Sequence, residues 1–235
     1  MSTPGANVTV TERRARATRP MLPLIGLVML LLAVVGTGCL PKARPITPPA
    51  NPRPLVPPQH VQGKGSLYFA PLNDFSVDTV HELAAYYKKK LGIDIRVLPR
   101  LALPASARAQ NGTYADVKVF QAMGTNFDWA NVLANRQSQI IGFLRQGVYA
   151  EETGQQYIFQ ASRTTGMGLI STARMDPAFS GAPRDPVRLQ TRLRKTTTKL
   201  IGVMYYDLER SDDPASVMYY PVLEPEDLDV IGEGF

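Results

Sequence analysis

Eight of the chain's 20 prolines fall between Pro41 and Pro58. A proline-dense stretch lacks the N–H donors that helix interiors and central strands need, and it settles into extended polyproline II. No core can be threaded through it. Residues 39–64 therefore read as a semi-rigid spacer, which leaves residues 65–235 to hold whatever core the chain has.

Ahead of the spacer, Arg13, Arg14, Arg16 and Arg19 precede an apolar run over residues 21–35 and then Gly36-Thr37-Gly38-Cys39. Basic, apolar and small-residue parts in that order make a secretory signal. The apolar run is interrupted by Pro23 and is shorter than the roughly 20 residues a spanning helix needs. Residues 1–38 are accordingly expected to be a signal peptide. Cys39 is the one cysteine, so no intrachain disulfide is possible. Its setting resembles the lipobox of bacterial lipoproteins, although Gly36 stands where that motif has Leu, Val or Ile. The resemblance implies that Cys39 is lipidated and that the protein is exported and held to the cell membrane or outer membrane, facing the periplasm or the exterior. Acyl chains would contribute about 0.8 kcal/mol per buried methylene to that anchoring.

The formal charge of +6 is unevenly placed. Residues 1–38 carry four Arg against Glu12, and the spacer holds Lys42, Arg44, Arg53 and Lys64, so the rest of the chain is close to neutral. A near-neutral domain offers no electrostatic footprint for nucleic acid. The basic spacer suits anionic lipid headgroups instead.

Within residues 65–235 the periodicity predicts an α/β (α+β) domain. Residues 66–72 form an apolar run with aromatics that suits a buried strand. Ser76 is placed to cap a helix in which Val77, Val80, Ala84, Tyr87 and Leu91 recur at helical spacing, with Lys88, Lys89 and Lys90 in the last turn and Gly92 closing it. Alternation over residues 93–98 predicts a second strand, and strand, helix, strand is the unit that gives parallel neighbours. Further helices are expected over 115–123, 129–136 and 186–204, and after Pro225. Strands are expected over 140–148, 156–161 and 166–171. Thr196, Thr197 and Thr198 lower the intrinsic propensity of the long helix.

The last third of the chain carries a specific resemblance. Residues 192–203, RLRKTTTKLIGV, followed by residues 211–219, SDDPASVMY, resemble the active-site helix and Met-turn of the metzincins. The order of elements from Ser66, with Val97-Leu98-Pro99 and Ile170-Ser171-Thr172-Ala173-Arg174, is similar to the archaemetzincins in particular. The resemblance implies a single metzincin-like domain with a mixed, mostly parallel sheet, an active-site-type helix, Met218 as the Met-turn methionine and a C-terminal helix. In that family the helix bears three zinc-binding histidines and a glutamate that activates the metal-bound water, two of the ligands sharing one helix face at i and i+4. Here the corresponding positions are Lys199 and Val203 for the first two histidines, Leu200 for the glutamate, Tyr206 for the glycine and Glu209 for the third histidine. Counting back from Met218 shifts the register by one, to Leu200, Ile201, Met204 and Arg210. Neither register retains the zinc triad, so no catalytic or metal-binding residue and no cofactor is expected.

His60 and His81 are the only histidines, one in the spacer and one near the start of the first helix, where it reads as a surface residue. Lys199, Asp207 and Glu209 could form a salt-bridged plug at the old site, or lie as solvated surface charge. Tyr205, Tyr206, Tyr219 and Tyr220 read as core or cleft-lining aromatics. Asp212-Asp213-Pro214 is a turn signal, and Ser211 and Ser216 have no base beyond the possible nearness of Lys199. Three functions follow: a non-catalytic module that binds a peptide or protein along an edge strand at 156–161, a zinc metallopeptidase with Asp207, Glu209 and Asp213 as replacement ligands, or a structural envelope protein. Three carboxylates suit harder cations than zinc.

Overall fold

A computed structural model describes residues 46–235. The expected signal peptide and the expected lipidation site, Cys39, lie outside the described residues. Five strands form the main sheet: β1 (Ser66–Pro71), β2 (Arg96–Val97), β4 (Ser138–Leu144), β6 (Gln160–Arg163) and β7 (Met167–Ser171), while β3 (Tyr114–Ala115) and β5 (Val148–Tyr149) pair separately. The order is β2-β1-β4-β7-β6. All neighbours are parallel except β6, which runs antiparallel to β7 at the edge.

Because successive strand residues point to opposite faces, one sheet feeds two cores. Leu67, Phe69, Ile141, Phe143 and Ile170 meet helix α1 (Val77–Leu91) and helix α4 (Pro186–Met204) on one face. Tyr68, Ala70, Ile140, Leu144 and Leu169 meet helix α2 (Asp116–Gly124) and Trp129 on the other. Helix α3 (Ala130–Ala134) lies beyond Trp129, and helix α5 (Pro225–Val230) packs on α4. The mixed, mostly parallel α/β arrangement expected from the sequence is the one observed.

The end signals of α1 act as the sequence predicts: the Ser76 hydroxyl accepts from the Thr79 N–H, and Gly92 takes the left-handed conformation at φ 70°. Helix α4 has the expected bounds and is capped by Asp185, whose side chain accepts from the Arg188 N–H. Its threonine run is absorbed by back-bonding. The hydroxyls of Thr196, Thr197 and Thr198 donate to the carbonyls four residues earlier at 2.8–2.9 Å, so none is left unpaired in a buried helix face. Two glycines let helices approach the sheet: a Cβ on Gly142 would lie 3.2 Å from Met123 of α2, and one on Gly168 would lie 2.8 Å from Leu200 and 2.6 Å from Met204 of α4.

Two expectations need correcting. The single strand expected at 140–148 is two: β4 ends at Leu144, and β5 turns away to pair with β3. The proline-rich residues also lie against the domain rather than standing off it. Leu55 is 7% exposed within the main core. Arg53 receives the Gly234 N–H on its carbonyl and donates its own N–H to Ala215, both at 2.9 Å. The Lys64 N–H donates to the Tyr205 carbonyl at 2.7 Å. Non-proline residues between the prolines make this possible, since Arg53 keeps its donor and Leu55 its apolar side chain. Leu55→Ala is expected to destabilise the fold by about 2–4 kcal/mol in denaturant titration. A free-standing spacer would give a change within about 0.5 kcal/mol.

Candidate functional site

Helix α4, the edge strand β6 and the loop after Met218 enclose a cleft of about 350 Å³. Along α4, Thr196, Lys199, Leu200 and Val203 line it, the i, i+3, i+4, i+7 positions of one helix face. Gln160 and Ser162 of β6 and, from the loop after α4, Arg210 and Tyr220 complete the lining.

The strand wall is open for pairing. In the β6–β7 ladder Ala161 faces Leu169 and Arg163 faces Met167, and the Ser171 N–H donates to the Phe159 carbonyl at 2.9 Å. Antiparallel pairs alternate between bonded and non-bonded, so the main-chain groups of Gln160 and Ser162 turn away from β7 to the outer edge. The edge strand is therefore real but sits later than the expected 156–161. Residues before it are taken up otherwise: the Ala150 N–H closes a turn onto Gln155, Tyr157 has φ 54°, and the Ile158 N–H donates to Val148.

The floor is mixed apolar and cationic. Leu200 is 1% exposed and seated against Gly168. Lys199 is 6% exposed, and its ammonium donates to the Tyr219 carbonyl and faces the Tyr220 ring, 5.8 Å from the centroid. The Arg210 guanidinium stacks on the same ring at 4.0 Å. Burial, and next the neighbouring Arg210 charge, pull the Lys199 ammonium down to about 8. Among the described residues neither cation has a carboxylate within ion-pair distance. Arg163, by contrast, is held by Asp116 at 3.0 Å and Glu152 at 3.2 Å.

A lysine whose native pKa lies below its unfolded value of 10.5 binds fewer protons in the native state between those values, so stability rises with pH there. The contribution of Lys199 should appear from about pH 8 at no more than about 1.4 kcal/mol per pH unit. Burial raises Tyr206 to about 12, and that works in the opposite direction only above the ordinary tyrosine range. Denaturant titration of the native chain and of Lys199→Met from pH 7 to 10 should show the native chain gaining on the variant. Parallel curves would refute the linkage.

The other sequence candidates lie elsewhere. Asp207 and Glu209 are exposed, and Asp207 pairs with Lys64, so the plug with Lys199 is not formed. Asp213 pairs with Arg53 at 2.8 Å. Asp207, Glu209 and Asp213 do not converge: among the described residues no group of three or more His, Cys, Asp or Glu is placed to hold a metal ion. His60 and His81 are exposed. Tyr206 is core, packed on Phe235, and Tyr220 is the cleft aromatic. Ser216 is buried and accepts from the Met218 N–H, and Ser211 accepts from the Asp213 N–H. Met218 lies under the helix, where a Cβ on Gly202 would meet its sulfur at 2.6 Å. What the sequence reading missed is Arg210 beside Lys199 and the link of Asp116 to β6 through Arg163. Asp116, a carboxylate opening a helix, was the one signal available.

No family model matches the sequence, and no curated protein does. Solved structures do match. A zinc-dependent peptidase from Methanocorpusculum labreanum superposes with a TM-score of 0.60 at 17% identity, covering 72% of this chain and 95% of that one. The archaemetzincin of Archaeoglobus fulgidus, solved with malonate, gives 0.56 at 17% identity, covering 72% and 94%. The fold is archaemetzincin-like. An archaemetzincin-like fold implies zinc, and the residues here do not fit it. Near neutral pH the Lys199 ammonium is mostly protonated and has no lone pair to give, while Leu200 and Val203 offer only hydrocarbon.

Proposed function

We propose that this chain is a non-catalytic, metalloprotease-like module of the cell envelope, anchored through lipidated Cys39, that binds an extended peptide or protein segment in the cleft beside β6. The observation that carries the reading is the juxtaposition of a strand edge at Gln160 and Ser162, unpaired among the described residues, with a cleft floor on which Lys199, Leu200 and Val203 offer no metal ligand. Strand addition needs main-chain donors and acceptors and a pocket for alternate side chains, and it survives loss of a metal. Of the two registers, the one placing Lys199 and Val203 at the histidine positions accords with the geometry, because both line the cleft while Ile201 is core.

Two measurements test this. Purified chain incubated with zinc and then desalted should retain far less than one zinc per chain and hydrolyse no peptide, while still binding members of a random peptide library. Stoichiometric zinc with peptidase activity would replace the reading with a metallopeptidase. For the anchor, Cys39→Ala should abolish labelling by radiolabelled palmitate, and undiminished labelling would remove the lipid from the proposal.

A further inference from the structure

The cleft holds two cations that no carboxylate pairs with among the described residues. Salt bridges account for the other cleft cation, Arg163, and for the buried Arg192 of the same helix. Lys199 and Arg210 have no such carboxylate among the described residues, yet a chain fold and a ring bring them together: the loop carrying Tyr219 and Tyr220 returns to α4 and sets both charges against the Tyr220 ring. Holding the exposed Arg210 charge beside the buried Lys199 ammonium costs free energy that an anion between them would offset. Gln160, whose main chain faces the open edge, lines the same cleft.

Resting on the peptide-binding reading above, the geometry points to Lys199 and Arg210 as the receptor for the C-terminal carboxylate of the bound peptide. A free carboxyl terminus fits better than an acidic side chain within a longer peptide. β6 offers outward main-chain groups at only two residues, and a cavity of about 350 Å³ is near the lower end of ligand pockets, so the bound strand is short. Its end then falls inside the cleft, where a planar carboxylate accepts from the guanidinium and the ammonium together. The bound amide chain reaches Gln160 and Ser162 through main-chain bonds, and the terminal residue's side chain faces Leu200 and Val203, which gives a preference for apolar C-terminal residues.

The test uses the purified full-length chain and two random octapeptide libraries tethered by their N-termini, one ending in the free acid and one in the carboxamide. Hits from either are resynthesised in both forms. The free acids should bind at least about tenfold more tightly than their amides, the scale of a lost charge-assisted hydrogen bond. Arg210→Gln changes an exposed side chain and should reduce the acid to the affinity of the amide while leaving the amide unaffected, a non-additive pattern that a merely structural role would not give. Lys199→Met should do the same if it folds, and Arg210→Gln decides the matter if it does not. Equal binding of acid and amide overturns the carboxylate receptor and leaves strand-edge binding standing. Malonate alone binding as tightly as the peptides would also overturn it, in favour of a small dicarboxylate site. Binding of neither library removes the peptide-binding reading and this inference with it.

Discussion

The combined substitution Lys199→His, Leu200→Glu and Val203→His is expected to unfold the domain, or nearly so, without returning a working zinc site. Leu200 is 1% exposed in the main core, with Cδ2 filling the space left by Gly168. Removing it forfeits about 1.5–3 kcal/mol of apolar burial, and the carboxylate put in its place must be neutralised or lie buried without a partner. Together these effects amount to several kcal/mol, a large part of the roughly 5–15 kcal/mol that holds a domain of this kind together. The third ligand position would still be Glu209, which is exposed. Urea titration of the variant gives the stability, and metal content after desalting gives the zinc. A well-folded variant carrying one zinc and cleaving peptides would show that the site had stayed open to metal, against the packed floor described above.

A second large effect is expected at Arg192, 2% exposed. Its guanidinium donates to both oxygens of Asp229 at 2.8 and 2.6 Å and to the Met175 carbonyl at 2.9 Å, tying α4 to α5 and to the turn after β7. Arg192→Met should cost about 2–3 kcal/mol, because it removes three hydrogen bonds from a buried guanidinium and leaves the partly exposed Asp229 carboxylate only the more distant Arg188 at 3.8 Å. Adding Asp229→Leu should recover part of that loss, since replacing both partners by apolar groups is far less costly than breaking the pair. The cycle of single and double variants, followed by chemical denaturation, separates the coupling from the packing. Additive losses would mean that the pair contributes no more than an exposed ion pair does.

Legibility in the sequence followed the range of the interactions. Helix α1 was readable at both ends because Ser76 and Gly92 act on their own helix within a few residues, and α4 was readable from its long uninterrupted run from Pro186 to Met204. The break between β4 and β5 was not, since the apolar run continues past Leu144 and only a distant partner, β3, decides where Val148 goes. The edge strand slipped for the same reason: its pairing with β7 is set by a ladder, and Tyr157 takes a conformation that no local signal announces. At the cleft, the loss of histidines was plain from Lys199, Leu200 and Val203. The meeting of Lys199 with Arg210 was not, because it requires the loop through Met218 to fold back beneath Gly202 and present Tyr220.

The segment around Arg53 is laced between Ala215, in the loop that carries Met218, and Gly234, while Val217 in turn donates to Gly234. Any mechanical load on the chain upstream of Arg53 is thus delivered first to the floor beneath α4 rather than to the sheet. Arg53 meets that loop through its bonds to Ala215 and Asp213, so a pull would load the loop holding Met218 and Tyr220 before it reached β1. In a tethered molecule the anchor and the cleft would share one force path, and tension on the tether would slacken the grip on whatever the cleft holds.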